Sequence, residues 1–412
     1  MRKMVIISFI LVSLSSLCLG CKRAYAPPAT TTDYGYLVVE GVVDAGTDST
    51  DIRLSRTVKI SSKTSSVPER GAIATVESDQ NIAYPLIESA NGNYVSARLN
   101  LDISHKYRLR IKTTDGKEYL SNFVQVVNSP PIDSINFVIG SNGFNVYANT
   151  HDPKNNTRYY RWTYQETWII HSYYYSQYAS NGDTVLPRDE VNNNIFRCWQ
   201  SDTSSTISLA SSAKLSQDVI ANNLLISVSD TSQKITEGYS IKVTQYALTS
   251  DAYNFWAELK KNTEQIGSVF DAQPSQLNSN IHCTTDASIP VIGYISVGAT
   301  KSQRIFLQQR QMPAWTPKLY YPYCVLVKGC CSYELYQGGG NYLNQVDAYI
   351  NYTSPIYEGR VAAGFVPYIP VDAVRVPPIF GPIIGFTVTS IPGCVDCTTR
   401  GGRNHPPSFW QF

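Results

Sequence analysis

Between His105 and Val126 the chain reads HKYRLRIKTTDGKEYLSNFVQV, and no other stretch limits the possible folds as much. Tyr107, Leu109 and Ile111 alternate with charged residues, so an extended strand here has one apolar face and one wet face. Asp115-Gly116 is a turn pair that accepts the positive φ angles a tight hairpin needs, and Tyr119 starts the return strand. A two-stranded ribbon with one apolar face is unstable alone in water and must be covered by a second layer. The pattern recurs upstream: YLVVEGVVDAGTDSTDIRLSRTV turns at Asp44–Gly46, and Asn91-Gly92 precedes a fresh alternation from Tyr94. Short strands at this spacing predict an immunoglobulin-like β-sandwich over residues 36–130. The prolines of NSPPID, 128–133, interrupt ladder hydrogen bonding and mark its end.

Beyond that boundary a larger β-rich domain is expected over residues 131–393. FNVYANTHDPKNNTRYYRWTYQETWII reads as two alternating runs paired across an Asp-Pro-Lys-Asn-Asn turn, and IPVIGYISVGATKSQRIFL as a hairpin turning near Gly298. One amphipathic helix interrupts the strands near 250–266, where Ala252, Phe255, Trp256 and Leu259 recur at helical spacing. Ser250 is its expected N-cap and Gly267 its expected stop. Such a stripe packs a core far more often than it binds a cofactor. The 29 tyrosines and the charged fraction of only 16% agree with a mainly β chain. No repeat of fixed period and no coiled coil is visible in the sequence.

The first twenty residues, MRKMVIISFILVSLSSLCLG, have the parts of an export signal: Arg2 and Lys3, an apolar run from Met4 to Leu14, then small residues closing on Gly20. Gly20 precedes Cys21, the arrangement of a small residue before a cysteine that a lipoprotein signal peptidase requires. Residues 1–20 are therefore expected to be removed, Cys21 to be lipidated, and residues 21–35, rich in Pro and Thr, to serve as a tether. A multiply acylated cysteine holds a body firmly to a membrane. No later apolar run reaches the ~18 residues a transmembrane helix needs. The whole chain carries 34 Lys and Arg against 32 Asp and Glu, and once Arg2 and Lys3 leave with the signal the charges balance. A neutral chain with scattered charges has no electrostatic footprint for nucleic acid, so no such partner is expected.

That address decides how the cysteines are read. Seven lie beyond Cys21, and outside the cytosol disulfides are the default, with Cys394, Cys397, Cys198, Cys283 and Cys324 as candidates. Seven is odd, so at least one thiol is free or pairs between molecules. CVDC opens a C-terminal tail over 394–412 and reads as a structural staple that oxidises both Cys394 and Cys397. Zinc would need a second ligand pair at matching spacing, whereas Cys330 and Cys331 are adjacent, so no metal is expected. A thioredoxin-type CxxC opens a helix, which Pro392, Gly393, Gly401 and Gly402 oppose.

Several segments together resemble a known family. In order they are YLVVEGVV, GNYVSARLNLDISHKYRLRIKTTDGKEYLS, PPIDSI, RYYRWTYQETW, SDAYNFWAELKKNTEQIGSVFDAQPSQLNSNIHC, IPVIGYISVGATKSQRIF and CVDCTTRGGRNHPPSFW. With the lipoprotein cysteine they are similar, over nearly all of the mature chain, to the Bacteroidota lipoproteins of domain-of-unknown-function family 4249. The resemblance implies a lipid-anchored protein of the outer membrane that accompanies a TonB-dependent transporter. It implies no catalytic residues. KRAYAPP after Cys21 lacks the acidic run of many surface-exposed lipoproteins, so cell surface and periplasmic face both stay open.

The sequence holds no HExxH, no GxSxG, no phosphate loop, no dinucleotide fingerprint and no EF-hand loop. His105, His151, His171, His282 and His405 stand singly, and the adjacent Asp189 and Glu190 would face opposite ways in a strand, wrong for paired carboxylates. Neither enzyme activity nor a cofactor is expected. The strongest binding candidate is RWTYQETWIIHSYYYSQYASNGDTV. Read as a strand, it sends Tyr173 and Tyr175 to one face and Tyr174 to the other, and with Trp168 these rings offer contact area for a sugar or protein. The competing reading makes the same rings core. The expected function is ligand capture beside the transporter for an unidentified nutrient. A surface adhesin or structural interaction protein is the alternative, and a glycan or peptide hydrolase fits less well.

Overall fold

The structure is a computed structural model that describes residues 35–59, 62–64, 66–180, 185–189, 191–264, 277–317, 324, 326–328, 369–375, 383–389 and 392–411. The expected export signal, Cys21, Gly267, Cys330 and Cys331 lie outside the described residues.

The chain is mainly β, as its alternation predicts. The first body contains β1 (Leu37–Asp44), β2 (Thr50–Arg56), β3 (Val67–Pro68), β4 (Ile73–Ser78), β5 (Ala83–Ala90), β6 (Asn93–Ser96), β7 (Lys106–Lys112), β8 (Glu118–Ser121) and β9 (Val124–Gln125). One sheet runs β1-β2-β6 and the other β5-β4-β7-β8. β5 serves both, pairing Ala83–Leu86 with β4 and Ile87–Ala90 with β6. Leu37, Ile52 and Leu54 of one sheet share a buried cluster with Val76, Tyr107, Leu109, Ile111 and Tyr119 of the other. Each such side chain contributes about 1.5–3 kcal/mol on leaving water. The predicted turns are present, with Asn91 and Gly92 at φ 50° and 78°.

The second body adds β10 (Ile132–Gly140), β11 (Gly143–Asp152), β12 (Tyr159–His171), β13 (Tyr178–Ser180), β14 (Val185–Pro187), β15 (Arg197–Thr203), β16 (Ser208–Ser211), β17 (Asp218–Ser229) and β18 (Gly238–Ala247). After the helix α1 (Ser250–Glu264) come β19 (Ile281–Cys283), β20 (Val291–Gly293), β21 (Ser296–Gly298) and β22 (Lys301–Gln308). A further small sheet joins β23 (Leu326–Lys328), β24 (Ile369–Arg375) and β25 (Ile383–Thr389). Sheet β10-β11-β17 packs on sheet β15-β12-β18-β22 around Phe144, Val146, Trp162, Tyr239 and Ile241. Lettered by order of appearance, both bodies read A-B-E in one sheet and C′-C-F-G in the other. The larger β-rich domain is thus a second sandwich with the strand order of the first, an immunoglobulin-like arrangement used twice.

Two sequence expectations fail here for physical reasons. β11 and β12 do not pair with each other; the first lies in the three-stranded sheet and the second in the five-stranded one. Asp152 causes the change of sheet, because its carboxylate accepts from the backbone N–H groups of Lys154, Asn156 and Thr157 at 3.0, 2.7 and 3.1 Å and turns the chain out of plane. IPVIGYISVGATKSQRIFL is no hairpin either. β20 and β21 pair in parallel with β1, whereas β22 pairs with β18.

The segment between strands F and G of the second sandwich is therefore an excursion back to the first. β19 covers the edge strand β8, and β20 and β21 cover the edge strand β1. Open sheet edges invite pairing with other chains, and both edges are closed this way. Ile281, Cys283, Val291, Ile295 and Val297 enter the first core, so residues 36–130 do not contain the whole of that sandwich. α1 lies within the predicted range, but Thr249, not Ser250, caps it by accepting from the Ala252 N–H at 3.2 Å. Its Ala252 and Phe255 pack with Leu248 at the end of the second sandwich and with Tyr294 of the returning chain. Arg161 lies 3.8 Å from the ring centroid of Trp256 and 5.0 Å from that of Tyr246 at the same joint.

Candidate functional site

Most chemistry-bearing residues singled out in the sequence meet at one corner of the second sandwich, where β12 ends. Trp168 still belongs to the strand and points inward; it is 6% exposed and part of the core, so it is no binding residue. Beside it Lys234 stands 4.8 Å over the indole and donates to Glu166 Oε2 at 2.6 Å, and the Tyr239 hydroxyl donates to Oε1 at 2.6 Å. Glu166 is 2% exposed, and these two donors are what make its burial tolerable.

The strand stops at His171. Ser172 donates its N–H to Phe196 O at 2.8 Å and its hydroxyl to Tyr174 O at 3.0 Å, which bends the chain. Tyr173–Tyr175 therefore occupy a bend and not the expected strand. Tyr173 and Tyr175 nevertheless face outward, at 53% and 38% exposure. Tyr174 is half-buried and fastened: its N–H donates to Cys394 O at 2.8 Å and its hydroxyl to Cys324 O at 3.2 Å. The rings contact one another in two groups. Tyr173 meets Tyr174 edge-on at 4.6 Å, Tyr175 meets Phe196 at 5.2 Å, and Phe196 stacks on His171 at 4.9 Å.

A charged knot supports this surface from one side. His171 Nε2 lies 2.6 Å from Glu237 Oε2, and Arg197 pairs with the other carboxylate oxygen. Burial alone would raise the Glu237 pKa, but the hydrogen bond from His171 and the charge of Arg197 outweigh it and hold the carboxyl below its ordinary value.

Two disulfides lock the corner, and they supply the partners of CVDC that the sequence left open. Cys397 bonds to Cys198 and Cys394 bonds to Cys324. Both cysteines are oxidised as expected, yet each bridges to a distant strand or segment. Asp396 is extended between two 3₁₀ turns, Pro392–Cys394 and Cys397–Arg400, and caps the second by accepting from the Thr398 N–H at 2.8 Å. That geometry carries the two thiols apart. Cys283, a disulfide candidate by sequence, is free and buried in the first sandwich, 3.3 Å from Thr285 Oγ1.

The tail that carries these cysteines does more than the sequence suggested. Arg400 donates to His171 O and Gln233 Oε1, both at 3.0 Å, and Arg403 bridges to Trp199. Trp410 contacts Trp199 and Phe306, and Phe409 lies beneath the Arg304 guanidinium at 3.6 Å. A Cβ on Gly402 would sit 2.5 Å from Cys198 Cβ, so the tight passage over the bridge needs glycine there. The run of Arg and aromatic residues in TTRGGRNHPPSFW was the only sequence signal of this packing. Among the described residues no group of three or more His, Cys, Asp and Glu could hold a metal ion. The corner offers ring faces, hydroxyls and a fixed ion knot, a surface equipped for recognition.

The profile of a domain family of unknown function, DUF4249, matches residues 23–304. The chain belongs to the DUF4249 family. The matched span covers the whole first sandwich and the second up to the start of its last strand, so it takes in the DUF4249 excursion that joins them. Among curated proteins none matches this DUF4249 chain. Of solved structures, a two fibronectin type-III domain segment from chicken tenascin is similar at 13% identity and a TM-score of 0.15, covering 52% of this chain and 90% of that one. At that score the likeness carries no argument, and the tandem sandwich rests on strand order alone.

Proposed function

We propose that this DUF4249 protein is a non-enzymatic, lipid-anchored protein of the outer membrane that captures a nutrient beside a TonB-dependent transporter. The observation that carries the reading is Cys21, set directly after Gly20 at the end of an export signal and ahead of a short Pro- and Thr-rich tether. Two disulfides in the folded body agree with an oxidising compartment. Tyr173 and Tyr175, exposed and rigidly backed, supply the kind of aromatic area that partners and sugars use. The test is co-purification of the full-length protein from detergent-solubilised outer membrane. A TonB-dependent transporter is expected with the parent and is expected to be lost with Cys21→Ser, which cannot be anchored. A parent pull-down without any transporter contradicts the reading.

A further inference from the structure

The two bridges at the aromatic corner are not equally reachable. Cys198 and Cys397 are both 0% exposed. The tail runs directly over their bond: a Cβ on Gly402 would meet Cys198 Sγ at 3.2 Å. In the other bridge Cys394 is 1% exposed, but Cys324 is only half-buried. Thiol–disulfide exchange needs a thiolate to reach one of the two sulfurs, so a reductant enters this bridge from the Cys324 side and is kept from the other. The reachable bridge is also the one that holds Tyr174. The Tyr174 N–H donates to Cys394 O and its hydroxyl to Cys324 O, so one tyrosine spans both halves of the bond. Cys394 has a second tether, because Cys397 keeps its own bond to Cys198 and donates its N–H to Ile195 O at 2.8 Å. Cys324 has no other hydrogen bond or bridge among the described residues.

We propose that the Cys324–Cys394 bridge is a redox-sensitive clasp on the aromatic corner, opened by a dithiol. The thiolate of the dithiol attacks the bond at Cys324 and expels the Cys394 thiolate. Its second thiol then displaces Cys324, leaving two cysteine thiols and the dithiol oxidised to a disulfide, with two electrons passed to the protein. Opening leaves Cys394 in place and frees Cys324, so Tyr174 keeps the acceptor of its N–H and loses that of its hydroxyl. Tyr173 meets the Tyr174 ring edge-on and shifts with it, whereas Tyr175 packs on Phe196 and stays. The corner thus has one regulated side and one fixed side. The biological weight of the clasp rests on the proposed recognition role of this corner; its chemistry does not.

Full-length protein in detergent, titrated with dithiothreitol and alkylated before peptide mass spectrometry, tests the order of opening. Cys324 and Cys394 should become alkylated at dithiothreitol concentrations about tenfold below those that open Cys198–Cys397. At that selective step hydroxyl-radical labelling should rise about twofold or more at Tyr174 and stay constant at Tyr175. Cys324→Ser should show the same labelling without reductant; should that variant not fold, the titration of the parent decides alone. Three results overturn the proposal: Cys198–Cys397 opening first or together with the other bridge, unchanged Tyr174 labelling after selective opening, or an equal rise at Tyr175. Neither readout involves a transporter, so a pull-down that recovers none overturns the proposed function and leaves this result intact.

Discussion

Trp168 and Tyr173 stand close together in one aromatic run, yet they are 6% and 53% exposed. Alternation could not separate them, because what ends the strand is the pair of hydrogen bonds from Ser172, and serine is an ordinary strand and turn residue alike. The consequence is measurable. Trp168→Ala should cost about 3–5 kcal/mol of stability in thermal or denaturant unfolding. Tyr173→Ala with Tyr175→Ala should cost no more than about 1.5 kcal/mol while reducing transporter recovery in the pull-down. Glu237 gives a pH prediction. Its folded pKa lies below the ordinary 4.5, so its contribution is fully present above that value and disappears as pH falls through the lower folded pKa. Glu237→Gln should therefore lower the Tm at neutral pH and flatten the acid limb of the Tm–pH curve below that ordinary value. An unchanged acid limb would show that the His171–Glu237–Arg197 knot does not stabilise the corner.

At the level of elements, single strands were legible and their partners were not. Tyr107, Leu109 and Ile111 face inward as their period-2 spacing requires, because alternation is a local property of the backbone. Pairing is set by contacts far apart in sequence. β20 and β21 read as the first half of a hairpin with β22, but the exposed edge of β1 takes them instead. CVDC shows the same limit: both cysteines are oxidised as a staple requires, but their partners lie 199 and 70 residues away, beyond what local spacing can specify. It follows that the stretch 36–130, expressed alone, should not fold cooperatively, since it lacks five buried side chains and leaves both sheet edges open. Circular dichroism and denaturant titration of that fragment check this; a two-state transition with full-size amplitude would refute the interlock.

At the level of the whole molecule, the sequence showed no period because the repetition lies in strand order, not in residues. The second sandwich uses longer strands, bulged registers and an excursion between its last two strands, which erase any fixed spacing. Membership in DUF4249 was legible from local segments; the tandem design was not. A shared excursion links the two sandwiches through β19, β20 and β21, which complete the first sandwich from within the second. Peptide mass spectrometry of the protein isolated from native membranes without reduction tests this account most directly. It should find Cys21 acylated, Cys198 linked to Cys397, Cys324 linked to Cys394, and Cys283 as a free thiol. An unmodified Cys21, or a direct Cys394–Cys397 bond, would contradict it.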